Sequence, residues 1–423
     1  MRTLTSANFE WYRTFNVRGH VPKYDPPKTT SDHWSREKGE IMKSKLVQKK
    51  PNAGALSFLR ESRFNLRQLF SVAFLGCLLF TAVVNAAGDS FLPGPTRVVS
   101  TVPANGDGNP YGVAFVPPGF PAGGTISPGD VLVSNFNNAP TATGGNLQGT
   151  GTTIVDVPPN APLTLFFQSA TPTGLTTALN ILRAGFVLVG NFPSADGMCS
   201  DAGPGSILVI DKNGNLVSTI TESVQGPWDS ALFDRGSTAK YFVANALTGA
   251  INRYDLGVSA AGVTVNKVTQ IASGYMHSCD PVTFVDAPTG LVYDPESDVL
   301  YVASTLDNAV YAVSNAAGRT HDGGIGRLIY SDPKHLHGAL GLAKAPNGDL
   351  LVTNNDAVNA DPAQPSELVE FTVDGEFIKQ ISLDPTPGGS FGLAVENLGN
   401  GTAKLAAVDD SVNLFVIWTL KAQ

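Results

Sequence analysis

An asparagine recurs along this chain at the end of a short apolar run. The copies are Val131-Leu-Val-Ser-Asn135, Val187-Leu-Val-Gly-Asn191, Tyr241-Phe-Val-Ala-Asn245 and Leu350-Leu-Val-Thr-Asn354, and two more runs end in Ser304 and Asp409. Amide and carboxylate oxygens gathered at one point would hold a hard cation such as Ca²⁺, or the polar groups of a ligand. The local alternative is an Asn that bonds nearby backbone and caps a turn. A residue encoded by the repeat favours that second reading. Histidines form another set. His335 and His337 are two apart, so on a strand they would share a face. With a carboxylate they could bind Zn²⁺ or act as acid and base, and His337 is the candidate catalytic base. No histidine recurs at a matching place in other copies, which favours one channel-lining and one surface histidine. Tyr111, Trp228 and Phe391 stand at comparable points of three copies. They would line an apolar ligand pocket or pack between elements. No Gly-x-Ser-x-Gly, His-Glu-x-x-His or phosphate loop is present.

What positions these residues is a repeat of about six copies. Each copy opens with a small residue followed by apolar ones: Tyr111-Gly-Val-Ala-Phe115, Thr173-Gly-Leu-Thr176, Trp228-Asp-Ser-Ala-Leu-Phe233, Thr289-Gly-Leu-Val-Tyr293, Leu340-Gly-Leu-Ala343 and Phe391-Gly-Leu-Ala-Val395. The Asn-terminated run follows, then an alternating strand such as Ile207-Leu-Val-Ile-Asp211, then usually a fourth, such as Leu216–Ile220. Hairpin dipeptides that need φ > 0 separate them: Asn213-Gly214, Asn347-Gly348 and Asp374-Gly375. Six units of four short antiparallel strands predict an all-β, six-bladed β-propeller. After Ile417 too little chain remains for a fourth strand in the sixth unit. Residues 97–102, Arg-Val-Val-Ser-Thr-Val, are expected to supply it and to close the ring around 413–419, since an open edge would be left otherwise. In such a ring the recurring polar residues Asn135, Asn191, Asn245, Asn354 and Asp409 would surround the axis. Tyr111, Trp228 and Phe391 would lie inside them on the same face.

The unit Asp298-Val-Leu-Tyr-Val-Ala-Ser-Thr-Leu-Asp-Asn-Ala-Val-Tyr-Ala-Val313 resembles the NHL repeat, and Ala345-Pro-Asn-Gly-Asp-Leu-Leu-Val-Thr-Asn354 is similar. The resemblance covers about residues 97–420. It implies a propeller of the kind that includes binding modules, metal-dependent lactonases of the gluconolactonase and paraoxonase type, and lyases. Calcium lactonases of that kind take ligands from Asn or Asp just before the Gly of an inner strand. Here those positions hold Tyr111, Thr173, Thr289, Leu340 and Phe391, with Trp228-Asp229 in the third copy, so the pattern departs from theirs. Oxygen donors still cluster at Asn354-Asn355-Asp356 and Asp409-Asp410. The resemblance therefore implies Asn354, Asp356 and Asp409 as the candidate metal ligands, with Ca as the candidate cofactor.

Charge divides the 423-residue chain. Residues 1–67 carry 14 Lys/Arg against 6 Asp/Glu, or +8; residues 68–87 carry none; residues 88–423 carry 14 against 30, or −16. The apolar stretch Leu69–Val84 follows Arg60, Arg63 and Arg67 and ends in Asn85-Ala86-Ala87, the pattern of a secretory signal. An uncleaved anchor is the competing reading. Residues 1–67 read as a basic, disordered leader, of which 1–41 is a misassigned start if Met42 begins the protein; residues 88–423 are the propeller. Export leaves Cys199 and Cys279 as an even pair for one disulfide, or as two separate thiols. At −16 the domain suits neither nucleic acid nor an anionic membrane surface. The expectation is an exported, periplasmic or secreted monomer. It binds a small molecule or peptide on its axial face without catalysis, and touches a membrane only through 68–87. The alternative is a metal-dependent lactonase- or esterase-like hydrolase, or a lyase, with its site on the axis.

Overall fold

The computed structural model describes residues 95–140, 147–360, 366–384, 388–399 and 401–421. The expectations for the leader 1–67 and the apolar segment 68–87 fall outside those residues.

Among the described residues the strands form six four-stranded antiparallel sheets and one two-stranded hairpin. Each sheet is a blade, built from 108–168, 175–220, 227–273, 288–330, 339–384 and 390–421 in turn. In blades 1 to 5 the strands follow chain order from the axis outward. In blade 6 the outer strand is Arg97–Ser100, with Arg97 opposite Ile417 and Ser100 opposite Leu414. The first strand of every blade touches the first strand of the next, and blade 6 meets blade 1 in the same way. These contacts make a closed ring of six, with the first strands innermost.

The burial pattern follows from that stacking. A second strand is covered on both faces by neighbouring blades, so all seven residues of Val131–Asn137 are buried. An outer strand faces solvent, and four of the five residues in Leu216–Ile220 are exposed. Low charge content is the sequence-level trace of these covered faces. The predicted hairpin glycines have the backbone they need: Gly214 has φ +81° and Gly348 has φ +98°.

One irregularity recurs in every blade. The inner strands, Gly108–Phe115, Leu175–Leu182, Pro227–Asp234, Pro288–Asp294, Ala339–Lys344 and Ser390–Gly399, each break register with the second strand near their start. Such a bulge re-aims the side chains around it. In blade 2 it holds one more residue than in blade 1, lying between the pairs Leu175↔Asn191 and Leu179↔Val189. The predicted match of Thr173-Gly174 to Tyr111-Gly112 is therefore corrected: counting back from the restored register, the equivalents are Thr177-Ala178.

Candidate functional site

The recurring polar residues sit at the start of the bulge. Asn135 pairs with Pro110, Asn191 with Leu175, Asn245 with Pro227, Ser304 with Pro288, Asn354 with Ala339 and Asp409 with Ser390. Their side chains serve nearby protein groups. Asn135 donates to Thr153 Oγ1 at 3.1 Å and Asn191 to Ser206 Oγ at 2.8 Å. Asn245 accepts from the Gln225 amide at 2.8 Å. Asn354 accepts from the His337 amide at 3.1 Å and donates to Glu367 at 3.0 Å. Asp409 accepts from the Ser411 amide and hydroxyl at 3.0 and 2.6 Å. The positions recur with the bulge, and Asn135 Oδ1, Asn191 Oδ1 and Asn245 Nδ2 are buried there without a hydrogen-bond partner among the described residues.

His335 and His337 do not lie on a strand, which corrects the shared-face expectation. Pro333 precedes them, and Asp332 O accepts the amides of His335 and Leu336, so the segment is a turn. His335 pairs with Asp332 at 2.5 Å and stacks on Phe377 with centroids 3.8 Å apart. His337 is 3% exposed, its Nδ1 2.6 Å from Asn359 O and its Nε2 3.3 Å from Lys334 O. Both ring nitrogens thus face backbone carbonyls. Asn354 and Asp356 lie beside Glu367, whose carboxyl is pushed up to about 7 by burial, with the Asp356 charge adding to the shift. Among the described residues no group of three or more His, Cys, Asp or Glu is placed to hold a metal.

Tyr111, Trp228 and Phe391 are brought together, but as packing. Tyr111 stacks on Phe391 at 4.4 Å and on Phe136 at 4.5 Å, and lies 5.6 Å from Trp228. Phe192 and Phe284 complete the cluster around Trp228. Side chains from blades 1, 2, 3 and 6 meet here, which places the cluster on the axis; Trp228 is wholly buried and Tyr111 2% exposed. The cluster is capped by the hairpin Ser278–Asp280/Phe284–Asp286, inserted between blades 3 and 4. Phe284 adopts φ +71°, a conformation unfavourable for a bulky residue, while its ring is held between Phe136, Phe192 and Trp228. Cys279 of this hairpin is disulfide-bonded to Cys199 in the loop between the second and third strands of blade 2, with Cα atoms 5.4 Å apart. The face expected to present a ligand surface is, at its axis, an aromatic plug.

The opening lies at the other end of the same strands. Burial relaxes away from the plug most clearly along the inner strands of blades 3 and 6. In blade 6 Phe391, Gly392 and Leu393 are buried, Ala394 to Glu396 half-buried and 397–399 exposed. A cavity of about 430 Å³ occupies this half of the axis, lined by all six inner strands. That volume falls within the range of small-molecule sites.

The lining is lopsided. The residue at the end of the bulge is Gly112, Ala178, Asp229, Gly341 or Gly392 in blades 1, 2, 3, 5 and 6, and its counterpart in blade 4 is Gly290, the first residue back in register there. It is small because the next blade is close. A Cβ at Gly392 would run into the Tyr111 carbonyl, and one at Gly290 into that of Leu340. Blade 3 alone carries a charged side chain there. The following residue is Val or Leu in five blades and Ser230 in blade 3. Asp229 Oδ1 accepts the Ser230 amide at 2.7 Å, and Oδ2 accepts the Leu291 amide of blade 4 at 2.8 Å. Burial outweighs these bonds and pushes the carboxyl up to about 8. Asn180 of blade 2 donates to Ser230 Oγ at 2.9 Å, and Thr177 to Trp228 O at 2.5 Å. Blades 2 and 3 therefore make a polar wall, facing Val113, Leu342 and Leu393. At the mouth, Arg183 pairs with Asp234 at 3.3 Å and Lys344 with Asp294 at 2.8 Å.

Sequence reasoning missed Asp229 as a site residue. The signal was present as the one acidic residue at a position that is Gly in four copies.

No family profile matches the chain. No curated protein matches it either. Among solved structures it is similar to a protein assigned as an oxidoreductase (glucose dehydrogenase) from Thermus thermophilus, at 13% identity and TM-score 0.47, over 76% of this chain and 99% of that one. It is similar to a gluconolactonase from Xanthomonas campestris, at 13% identity and TM-score 0.46, over 77% and 89%. A luciferin-regenerating enzyme follows at 12% identity and TM-score 0.47, over 78% and 95%. At these identities the likeness is one of fold.

Proposed function

We propose that the protein is an exported, non-catalytic propeller that holds a small molecule in its axial cavity, entering from the face opposite the aromatic plug. The observation that carries this reading is the cavity itself: about 430 Å³, lined by all six inner strands, with Asp229, Ser230 and Asn180 among its polar groups and Val113, Leu342 and Leu393 among its apolar ones. A volume of that size favours a small molecule over a peptide. The Cys199–Cys279 disulfide supports export, because such bonds persist in oxidising compartments.

The test is a thermal-shift screen of the purified protein against a metabolite panel, repeated on Ala394→Trp. Ala394 is a half-buried lining residue toward the mouth, and an indole there fills the space. A ligand at saturating concentration raises Tm by several degrees, and the shift disappears in the variant. Shifts that survive in Ala394→Trp place the ligand elsewhere. Metal analysis of the same sample separates the alternative: one tightly held divalent ion per chain would replace this reading with a metal-dependent hydrolase or lyase.

A further inference from the structure

We propose that the ligand of the axial cavity is an amphipathic amine, with its ammonium group on the Asp229 carboxylate and its apolar body along Val113, Leu342 and Leu393. The proposal rests on the cavity reading above and adds the chemical class of the ligand.

Asp229 breaks the repeat at its most crowded point. Five blades put Gly or Ala at this ring, and a carboxylate there needs a reason other than the fold. It is 8% exposed and lines the cavity. Each of its oxygens accepts one backbone N–H, at 2.7 and 2.8 Å. The Thr177 hydroxyl is a third partner, and an ionised carboxylate has about four acceptor positions, so room remains for one further donor.

No cation of the protein supplies that donor. Among the described residues Asp229 is in no ion pair. The two cationic side chains that line the cavity are held at its mouth. Arg183 donates to Asp234 through Nε and, through Nη2, to the Asp234 carbonyl at 2.9 Å; Lys344 donates to Asp294. A buried carboxylate without a counter-ion is costly, and a cationic ligand removes that cost.

Competing ligand classes fit less well. A carboxylate or phosphate gains no charge attraction from Asp229, whether the acid is protonated or ionised. A neutral alcohol meets the protonated acid and gains a hydrogen bond only. Val113, Leu342 and Leu393 give a hydrocarbon body contacts that a bare inorganic cation would leave unused. The acidic domain also attracts cations from solution.

Charge balance gives the binding event a second readout. Burial keeps the Asp229 carboxyl largely protonated at neutral pH. The groups facing it are Tyr241 of its own sheet, Arg183 and Asp234 at the mouth, Tyr293 of blade 4 and Lys344 of blade 5. Burial raises the two tyrosines further from neutrality. The proton that leaves when an ammonium ion docks near pH 7 is therefore that of Asp229: ammonium plus carboxylic acid gives the ion pair plus one H⁺.

The experiment is calorimetric titration of the full protein with three probes of one skeleton: 4-phenylbutylamine, 4-phenylbutan-1-ol and 4-phenylbutanoate. The amine is expected to bind at least about tenfold tighter than the alcohol, the difference of one compensated buried charge. Near pH 7 it should release close to one proton, read from buffers of different ionisation enthalpy. Asp229→Gly, the residue of four other blades, should bring the amine down to the level of the alcohol and abolish proton release; Asp229→Asn should do the same. Equal or tighter binding of the alcohol or acid overturns the proposal on wild-type protein alone, as does amine affinity unchanged in Asp229→Gly. If alcohol or acid binding is lost in Ala394→Trp, the cavity reading survives the loss of the amine. Failure of all three probes overturns the amine, and the cavity reading then stands or falls with the metabolite screen.

Discussion

The two ends of the axis are made by the same six strands and behave as opposites. At one end Tyr111, Trp228 and Phe391 reach one another, Phe284 is wedged between their neighbours, and a disulfide ties down the cap. At the other the strands carry Gly, Ala and aliphatic residues beside the polar groups of blades 2 and 3, and about 430 Å³ stays open. Backbone geometry does not make this difference, because the bulge between the halves occurs in all six blades. Side-chain volume does: three large rings fill the ring centre on one side of the bulge and nothing comparable does on the other. The repeat sets the radius, and departures from it decide which end admits a ligand.

The comparison breaks most readily at the plug. Trp228→Ala removes its most buried ring and should cost about 3–5 kcal/mol in denaturant unfolding. A loss below about 1 kcal/mol would mean the rings are loosely packed and this end is not closed. Replacing both cysteines, as Cys199→Ser with Cys279→Ser, should cost about 2–4 kcal/mol. Amide exchange should quicken in 278–286 and stay unchanged near 393–396; equal quickening at both places would show that the ends are not independent.

The pH dependence sharpens the polar half of the comparison. Asp229 is pushed up to about 8, and Asp156 and Glu367 each to about 7, all mainly by burial. Groups of this kind bind more protons in the folded than in the unfolded chain. Their stabilisation is fully present below the unfolded pKa near 4 and is lost as pH rises through 7 and 8. Urea melts should show falling stability from about pH 5 to 9. In Asp229→Gly the decline should be shallower, chiefly above pH 7; an identical slope would show that Asp229 is solvated. The smallest effect belongs to the mouth, where Val395→Ala should cost less than about 1 kcal/mol, because half-buried Val395 has solvent to one side.

The blades were legible because their signals are local. Alternation, Asn-Gly turns and a run ending in Asn135, Asn191, Asn245 or Asn354 are set by neighbours a few residues away. The even count of Cys199 and Cys279 allowed a disulfide, and the structure forms it. What lay beyond reach depends on distances that no short motif encodes. Whether Tyr111, Trp228 and Phe391 line a pocket or fill it turns on Phe284, which arrives from an insertion between blades. The blade 2 match slipped because one extra bulge residue separates Leu175 from Leu179. His335 and His337 read as a strand pair until Pro333 is seen to start a turn. Asp229 was visible as an exception, but its burial and its lack of a cation partner are properties of the assembled ring.

The outer strand of blade 6 has a consequence for how this molecule is made. Thr96 and Thr419, hydrogen-bonded beside that strand, are 323 positions apart. Contacts between such distant segments form late, because the intervening loop is expensive to close. During synthesis Arg97–Ser100 emerges before the first blade and has no partner until the final blade has appeared. Through that interval it is a short extended segment with Val98 and Val99 and free backbone groups, and any other unpaired edge can capture it. The strand that completes the ring is thus also the segment most open to pairing between nascent chains.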